Sequence, residues 1–345
     1  MKYIRIVAVP MMIALIIAVA VTGAQATGNG YIAAQNSYGH LDVYSADGTQ
    51  HIINDAPSAL GLGLVSGVAF ASNGDLYACG TLAAGGDGIT KLAYQGNGTW
   101  ASAFTPVMTT SQVPLEMTVD SLGNVYFAQY SSTNLVKYNA NGTQAWSISM
   151  PPSGVNSNTD VRIVPTNSPA YAGDVAVCRD YGNSGGYIYD GIEFFNPTTG
   201  SMDGQVANDS RAYNQGGFDF DQSGNVVFSG LNNNRSIWRI NPSTLVSTTV
   251  FYTSATTYSQ CEYSTTTKAD YNGDGTNDIF VADAAINGID VFDGVTGNPI
   301  ATIANGRSIN ELDSWTPAAV PEPSALIVLI PGVAGLLGAA TRKRR

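Results

Sequence analysis

The stretch MTVDSLGNVYFAQ, residues 117–129, decides the fold of this chain of 345 residues. It places an apolar strand on each side of a short turn, and the turn contains Gly123 followed by Asn124. A Gly-Asn step between two apolar segments predicts a tight β-hairpin, because glycine relieves the positive backbone angles that the turn needs. The fold then depends on how many times this strand–turn–strand pattern recurs along the chain.

The hairpin phrase occurs five times along the chain. The other copies are GVAFASNGDLYACG (67–80), IVPTNSPAYAGDVAVC (163–178), FDFDQSGNVVFSG (218–230) and ADYNGDGTNDIFVAD (269–283). The turn glycines are Gly74, Gly123, Gly173, Gly224 and Gly275, at successive intervals of 49, 50, 51 and 51 residues. A constant period of about fifty residues indicates a repeat architecture with one supersecondary unit per period.

A second element, a short alternating strand that ends in a polar turn, recurs six times. Its copies begin at Leu41, Ile89, Leu135, Ile192, Ile237 and Ile289. The chain thus has six copies of this second element but five copies of the hairpin, and the stretch 31–50 explains the difference. It aligns with 126–144, so that Tyr31 matches Tyr126 and Gln35 matches Gln129. The chain therefore enters in the second strand of a repeat, and we expect residues 308–316 to supply the missing first strand.

This sharing of one unit between the two chain ends predicts a closed ring of sheets, an all-β, six-bladed β-propeller without an open sheet edge. A seven-bladed ring with one degenerate blade and a β-sandwich stay open as alternatives. The strand–turn–strand segments resemble those of NHL-like and gluconolactonase-like propellers. That resemblance implies the same architecture, and for the gluconolactonase-like type it implies a hydrolase.

Composition agrees with an all-β domain. The chain is rich in Gly, Ser, Thr, Asn and Tyr, which favour turns and strands. Of its 26 acidic and 15 basic residues, one carboxylate and six cations lie in the two ends. Residues 27–320 thus hold 25 acidic against 9 basic side chains, a net charge of −16. Such a surface repels phosphate backbones, which argues against nucleic acid as a partner.

The N-terminus has the layout of a secretory signal peptide, predicted over 1–26. Lys2 and Arg5 precede an apolar run from Ile6 to Val21, and the small residues Ala24 and Ala26 occupy the positions that a signal peptidase reads. Cleavage would leave Thr27 as the mature start. An uncleaved membrane anchor is the alternative, but the run is short for a membrane span.

The C-terminus, 320–345, resembles a PEP-CTERM sorting signal. Its three parts occur in order: the triplet Pro321, Glu322, Pro323; an apolar segment over 325–340, read as a transmembrane helix; and the basic end Arg342, Lys343, Arg344, Arg345. The resemblance implies processing by an exosortase, in cells that often make exopolysaccharide. The cations would hold the segment's end in the cytoplasm. We therefore expect transient anchoring in the inner membrane and a propeller domain over 27–319.

A candidate calcium loop lies in the fifth hairpin. Oxygen ligands at positions 1, 3, 5, 7 and 9, with glycine at 6, match an EF-hand-like loop; they are Asp270, Asn272, Asp274, Thr276 (through its carbonyl) and Asp278. The segment also resembles the calcium loops of FG-GAP propeller repeats. Position 12 is Val281 rather than glutamate, which favours a structural calcium of modest affinity. A metal-free hairpin turn is the alternative.

The sequence contains no recognisable catalytic set. His40 and His51 fall in or beside an outer strand and are predicted to be polar surface residues. Glu116, Glu262 and Glu311 lie near the starts of inner strands and are interpreted as solvated strand ends. The alternative is implied by the resemblance to gluconolactonase-like propellers, in which a carboxylate and amide cluster near the channel mouth holds a metal. The cysteines Cys79, Cys178 and Cys261 match no zinc spacing and are read as small buried hydrophobes.

These observations favour an exported, exosortase-processed protein of the cell surface or extracellular matrix. Its propeller would be a non-enzymatic binding or structural module for an extracellular polysaccharide or a surface protein. Tyr181, Tyr187 and Tyr189, in a glycine-rich loop, are candidates for sugar contact because aromatic rings stack on sugars. The alternative is a propeller hydrolase of the gluconolactonase-like type.

Overall fold

The computed structural model describes residues 30–36, 38–54, 62–102, 105–129, 134–150, 159–179, 191–206, 215–230, 236–244, 246–253, 264–283, 287–304, 306 and 308–317. The predicted signal peptide and the predicted sorting signal lie outside these residues. Within the described residues, regular secondary structure consists of 26 β-strands. No helix in these ranges is both long and apolar enough to cross a membrane.

The strands form six four-stranded sheets, the blades, and one small hairpin. Blade 1 contains β26 (Ile309–Trp315), β1 (Tyr31–Asn36), β2 (Leu41–Ser45) and β3 (His51–Ile53); blade 2 contains β4 (Leu62–Phe70), β5 (Leu76–Leu82), β6 (Asp87–Leu92) and β9 (Thr105–Thr110); blade 3 contains β10 (Pro114–Val119), β11 (Val125–Gln129), β12 (Asn134–Tyr138) and β13 (Gln144–Ser149). Blade 4 contains β14 (Thr159–Ile163), β15 (Val175–Arg179), β16 (Gly191–Phe195) and β17 (Met202–Val206); blade 5 contains β18 (Gln215–Phe220), β19 (Val226–Gly230), β20 (Ser236–Asn241) and β21 (Val246–Thr253); blade 6 contains β22 (Thr265–Ala269), β23 (Asp278–Asp283), β24 (Gly288–Phe292) and β25 (Pro299–Ala304). The hairpin is β7 (Tyr94–Gly96) with β8 (Thr99–Trp100).

The first strands of the blades contact one another in a closed cycle, β26, β4, β10, β14, β18, β22 and back to β26. These six strands therefore surround a common axis. Six apolar clusters lie between neighbouring blades, one at each interface. This is a six-bladed β-propeller. The prediction of six blades is confirmed, and the seven-bladed ring and the β-sandwich are wrong.

Ring closure follows the predicted route. In blade 1, β1 pairs antiparallel with β26, and Tyr31 lies opposite Trp315. The Tyr31 ring stacks on the Trp315 ring at 5.9 Å and meets the edge of Trp100 at 5.1 Å. Trp100 belongs to the β7–β8 hairpin, which packs over this junction, and Trp315 Nε1 donates to the Ser72 carbonyl at 3.2 Å. Aromatic packing thus reinforces the closing pair.

The repeat glycines mark one rim of the ring. Gly74, Gly123, Gly173, Gly224 and Gly275 all have φ between 75° and 88°. They lie where the first strand of a blade turns into the second, and we call this end the glycine-turn rim. Because strands alternate in direction, Tyr31 and Trp315 also lie at this rim, and every first strand begins at the opposite rim. The described part of the chain therefore starts and ends at the glycine-turn rim.

Candidate functional site

Charged side chains from the first strands converge on the propeller axis. Carboxylate atoms of Glu116 on β10, Asp160 on β14 and Glu311 on β26 lie within 4.8 Å of one another. These three strands belong to blades 3, 4 and 1, so they are not all ring neighbours. Their side chains can meet only near the axis. We call the three residues the channel triad, and each lies close to the start of its strand, toward the opposite rim.

The glutamates of the channel triad lack the partners that buried carboxylates normally have. Glu311 is 1 % exposed, and neither of its carboxylate oxygens has a hydrogen-bond partner among the residues that the structure describes. Glu116 Oε2 is likewise buried without a partner. Gly67 on β4 makes room for Glu311, because a Cβ there would lie 3.1 Å from Glu311 Oε2 and would also clash with the Leu115 carbonyl. The interpretation of Glu311 as a solvated strand end is therefore wrong, whereas Glu116 is half-buried and its Oε2 is the atom without solvent contact.

Burial and mutual repulsion shift the triad toward its neutral forms. Burial raises the pKa of Glu116 well above its usual range, and the charges of Glu311 and Asp160 add to the rise. Burial also raises the pKa of Glu311 well above its usual range, although Arg162 opposes it. The Val68 amide is close enough to lower the pKa of Glu311 but does not meet hydrogen-bond geometry. Burial raises the pKa of Asp160 to about 6, with Arg162 opposing it.

Arg162 on β14 is the counter-ion of the triad. Its side chain is 1 % exposed, and Nη1 lies 2.7 Å from Asp160 Oδ1. Nη2 reaches across the axis to the Leu312 carbonyl at 3.0 Å and to Ser264 Oγ at 3.3 Å. The guanidinium therefore joins blade 4 to the first strands of blades 1 and 6. Burial lowers the pKa of Arg162, but Asp160 and Asp219 raise it by more, so the side chain is permanently charged.

A second charged layer lies nearer the glycine-turn rim. Lys268 Nζ on β22 lies 2.8 Å from Asp313 Oδ1 on β26 and 3.8 Å from Asp219 Oδ2 on β18. Both aspartates also accept a backbone amide of a neighbouring blade: Asp313 Oδ2 accepts Phe70 N at 2.7 Å, and Asp219 Oδ2 accepts Thr267 N at 3.0 Å. These aspartates fasten one blade to the next, unlike the glutamates of the triad.

The predicted calcium loop lies at the glycine-turn rim, between β22 and β23. Its carboxylates accept amides of the loop itself: Asp270 accepts Gly273 N at 2.7 Å and Gly275 N at 2.8 Å, and Asp274 accepts Thr276 N at 2.8 Å. Asn272 Oδ1 accepts Asp274 N at 2.9 Å. Asp278, which is buried, accepts Tyr271 N at 2.8 Å and Gly294 N at 3.1 Å. Among the described residues, the loop aspartates do not converge as the channel triad does. Calcium binding by the loop stays a prediction.

The other singled-out residues lie away from the axis or outside the described residues, except Cys79, which lies next to the channel triad because the same space above Gly67 is bounded by Cys79 Sγ and Glu311 Oε2. His51 is exposed on the outer strand β3, as predicted, with Nε2 3.0 Å from Asp42 Oδ1. Cys79 and Cys178 are buried, as predicted. Outside the described residues lie Glu262, Cys261, the three loop tyrosines, the signal-cleavage residues Ala24, Ala26 and Thr27, and the sorting-motif residues Pro321, Glu322, Pro323 and Arg342 to Arg345.

Sequence reasoning missed Asp160 and Arg162 as partners of the two glutamates. Arg162 carried one available signal, since it is a lone cation two residues after an aspartate and directly precedes the apolar hairpin segment that begins at Ile163. A cation in such a buried strand requires a carboxylate partner.

Comparison with known proteins supports the fold alone. No protein-family model matches the chain, and no curated protein matches it. A structure of a nidogen–laminin complex matches with a TM-score of 0.59 and 12 % identity, over 84 % of this chain and 99 % of the other. A putative 6-phosphogluconolactonase of Bacteroides fragilis matches with a TM-score of 0.52 and 12 % identity, over 85 % and 99 %. A protein of unknown function from Bacteroides caccae matches with a TM-score of 0.51 and 8 % identity, over 84 % and 99 %. This chain is similar to all three in its propeller architecture.

Proposed function

We propose that this chain is an exported, exosortase-processed protein of the cell surface or extracellular matrix, whose propeller is a non-enzymatic binding or structural module. The observation that carries the proposal is the pairing of β1 with β26 in one blade. Both ends of the described chain leave from the same rim, and the strand nearest the sorting signal is held in a four-stranded sheet. A tail beyond Pro317 can then be cut without removing a strand from the ring.

Signal peptidase and exosortase are the processing partners in this proposal. Cleavage after Ala26 gives a mature start at Thr27, and exosortase acts close to Pro321 after the apolar segment has lodged in the inner membrane. Intact-mass analysis of protein recovered from the outer surface should show a start near Thr27 and an end near Pro321. Recovery of the full chain with Arg345 still present would contradict this part of the proposal.

The opposite rim is the proposed contact surface, because the described part of the chain starts and ends at the glycine-turn rim. β15 ends and β16 begins at the opposite rim, and the sequence between these strands, 180–190, contains Tyr181, Tyr187 and Tyr189. Exposed tyrosines offer flat apolar faces with a polar tip, which suits an extracellular polysaccharide. The same rim can also bind a surface protein.

The binding role is tested with a polysaccharide pull-down and a glycan array. Replacing Tyr181, Tyr187 and Tyr189 together with alanine should remove retention on the polymer. The control is Tyr38→Ala, since Tyr38 is 65 % exposed at the same rim but belongs to a different connection. Equal retention of the wild type and the triple variant would exclude this loop as the contact.

A hydrolase is the second candidate, and the channel triad is the observation that favours it. Two buried carboxyls with raised pKa values beside an ionised arginine are an arrangement that acid–base catalysis uses. A panel of lactone and ester substrates should give no turnover if the propeller only binds. Turnover that is lost in Glu311→Gln would establish the enzyme instead.

A further inference from the structure

Two turns at the glycine-turn rim present the tripeptide Asn-Gly-Thr at the surface. The tripeptide at 97–99 closes the β7–β8 hairpin, and the one at 141–143 lies between β12 and β13. In both, the asparagine and the threonine are exposed. Asparagine followed two residues later by serine or threonine, without proline between them, is the acceptor pattern for N-linked glycans in secreted proteins. Two further matches, at 208–210 and 234–236, lie outside the described residues.

The turn at 141–143 uses the side-chain oxygen of Asn141 and leaves its amide nitrogen free. Asn141 Oδ1 accepts Thr143 N at 3.1 Å and the Thr143 hydroxyl at 2.6 Å. An aspartate serves the same turn in blade 1, where Asp47 Oδ1 accepts Thr49 N at 3.0 Å and the Thr49 hydroxyl at 2.9 Å. The turn therefore does not require an amide nitrogen. Within the described part of the chain, Asn141 Nδ2 donates no hydrogen bond.

Asn97 presents its side chain more openly still. Its φ is 52°, a left-handed conformation that asparagine tolerates in tight turns. Neither polar atom of its side chain has a hydrogen-bond partner among the described residues. The Thr99 hydroxyl donates to the Gly96 carbonyl at 2.7 Å, which fixes the second part of the pattern beside it. Asn97 and Thr99 are thus both accessible from solvent.

Two other asparagines at the same rim serve as internal comparisons. Asn73 is exposed in an Asn-Gly turn, but Asp75 occupies the hydroxyl position and accepts Asn73 Nδ2 at 3.2 Å. Asn196 precedes a proline, which breaks the acceptor pattern, and its Nδ2 donates to Asp203 Oδ2 at 3.2 Å. Neither asparagine matches the pattern, and neither has a free amide nitrogen.

We propose that Asn97 and Asn141 are acceptors for N-linked glycans, which a glycosyltransferase adds from an activated glycosyl phosphate during export. The asparagine Nδ2 forms a bond to the anomeric carbon of the sugar and gives up one proton to a base of the transferase. The bond between that carbon and the phosphate oxygen breaks, and the phosphate leaves with the bonding electrons. The inference rests on the proposed export. It assigns glycans to the glycine-turn rim and leaves the opposite rim to contact the polymer.

The test is peptide mapping by mass spectrometry of the protein recovered from the outer surface of its native cells. The peptides that contain Asn97 and Asn141 should carry a mass increase of whole sugar residues. The same chain produced in a host without N-linked glycosylation should lack the increase. Thr99→Ala should abolish modification at Asn97 alone, and Thr143→Ala should abolish it at Asn141 alone. Thr143→Ser keeps the acceptor pattern and the hydroxyl, so Asn141 should remain modified.

The matched controls are the peptides that contain Asn73 and Asn196, which should carry no sugar. Sugar on these control peptides, or modification that survives the Thr→Ala substitutions, would overturn the proposal, because it would not depend on the acceptor pattern. Unmodified Asn97 and Asn141 in a chain that starts near Thr27 would overturn the glycan proposal and leave export standing. Unmodified asparagines in a chain that retains its signal peptide would contradict both.

Discussion

Replacing Arg162 with methionine isolates the energetic role of the buried ion pair on the axis. Methionine keeps much of the volume but removes the 2.7 Å contact with Asp160 and the donors to Leu312 and Ser264. Asp160 would then lie buried beside two glutamates, with the Phe218 amide as its remaining donor among the described contacts. Removing one partner of a buried ion pair typically costs about 3–5 kcal/mol, because the other charge is left uncompensated. We expect a loss in that range.

Arg239→Met is the matched control for this experiment. Arg239 Nε lies 2.7 Å from Asp221 Oδ2, the same separation as in the buried pair, but its side chain is 25 % exposed. Partly exposed pairs contribute roughly 0–1 kcal/mol. Urea unfolding at pH 8 in EDTA should therefore separate the two variants by about 2 kcal/mol or more, the difference between these two ranges.

The pH dependence provides an internal check. Burial raises the pKa of Asp160 to about 6 even though Arg162 opposes it, so loss of Arg162 must raise the pKa further. At pH 5 Asp160 in the Arg162→Met variant is then protonated, and no uncompensated charge remains. The destabilisation should shrink between pH 8 and pH 5. A loss below about 1 kcal/mol, equal to that of an exposed pair and constant with pH, would refute the reasoning.

Three further predictions concern the pairing of β1 with β26, the acidic pair Asp290 and Asp283, and the predicted calcium loop at 270–278. Trp315→Ala should cost about 1–3 kcal/mol in urea unfolding, less than the loss of a fully buried tryptophan because Trp315 is half-buried, and it should increase aggregation because it removes the stacked partner of Tyr31 and weakens the closing pair. Unchanged stability and solubility would mean that aromatic packing does not secure the ring. Burial raises the pKa of Asp290 to about 6; the Thr302 hydroxyl lowers this pKa and the charge of Asp283 raises it further. Between about pH 4 and pH 6 the folded state therefore holds a proton that the unfolded state releases. Because the folded state binds more protons, the free energy of unfolding falls as pH rises through this window. Asp290→Asn should reduce this fall in pH-dependent unfolding, and an identical slope would contradict the assignment. Calcium should raise the melting temperature less in Asp270→Asn than in the wild type by scanning calorimetry, and equal shifts would leave the loop as a metal-free turn.

The blades could be predicted from sequence because their signals are local. A turn glycine such as Gly123 requires a positive φ, and the apolar strands on either side identify a hairpin without knowledge of the rest of the chain. The alignment of 31–50 with 126–144 then placed β1 as a second strand, and its pairing with β26 followed from the count of elements. The fifty-residue periodicity therefore predicts both the number of blades and the pair of strands that closes the ring.

The channel triad could not be predicted in the same way. Glu116, Asp160 and Glu311 are separated by 44 and 151 residues, and nothing in their local sequence shows that their strands face one axis. Their depth along the axis depends on where each first strand begins, and strand ends are the least certain part of a sequence-based prediction. Glu116 and Glu311 were correctly placed near strand starts, but strand starts in a closed ring can be buried.

The contrast between aspartates and glutamates on the axis shows that the two glutamates of the triad, unlike Asp160, do not fasten one blade to the next. Asp313 and Asp219 each accept an amide from the neighbouring blade, and six apolar clusters fill the interfaces between blades. Glu311 makes no such bond, and apolar side chains of similar volume are often neutral or stabilising in place of buried charges. A role in stability alone therefore gives no physical reason for two unpartnered glutamates beside Asp160.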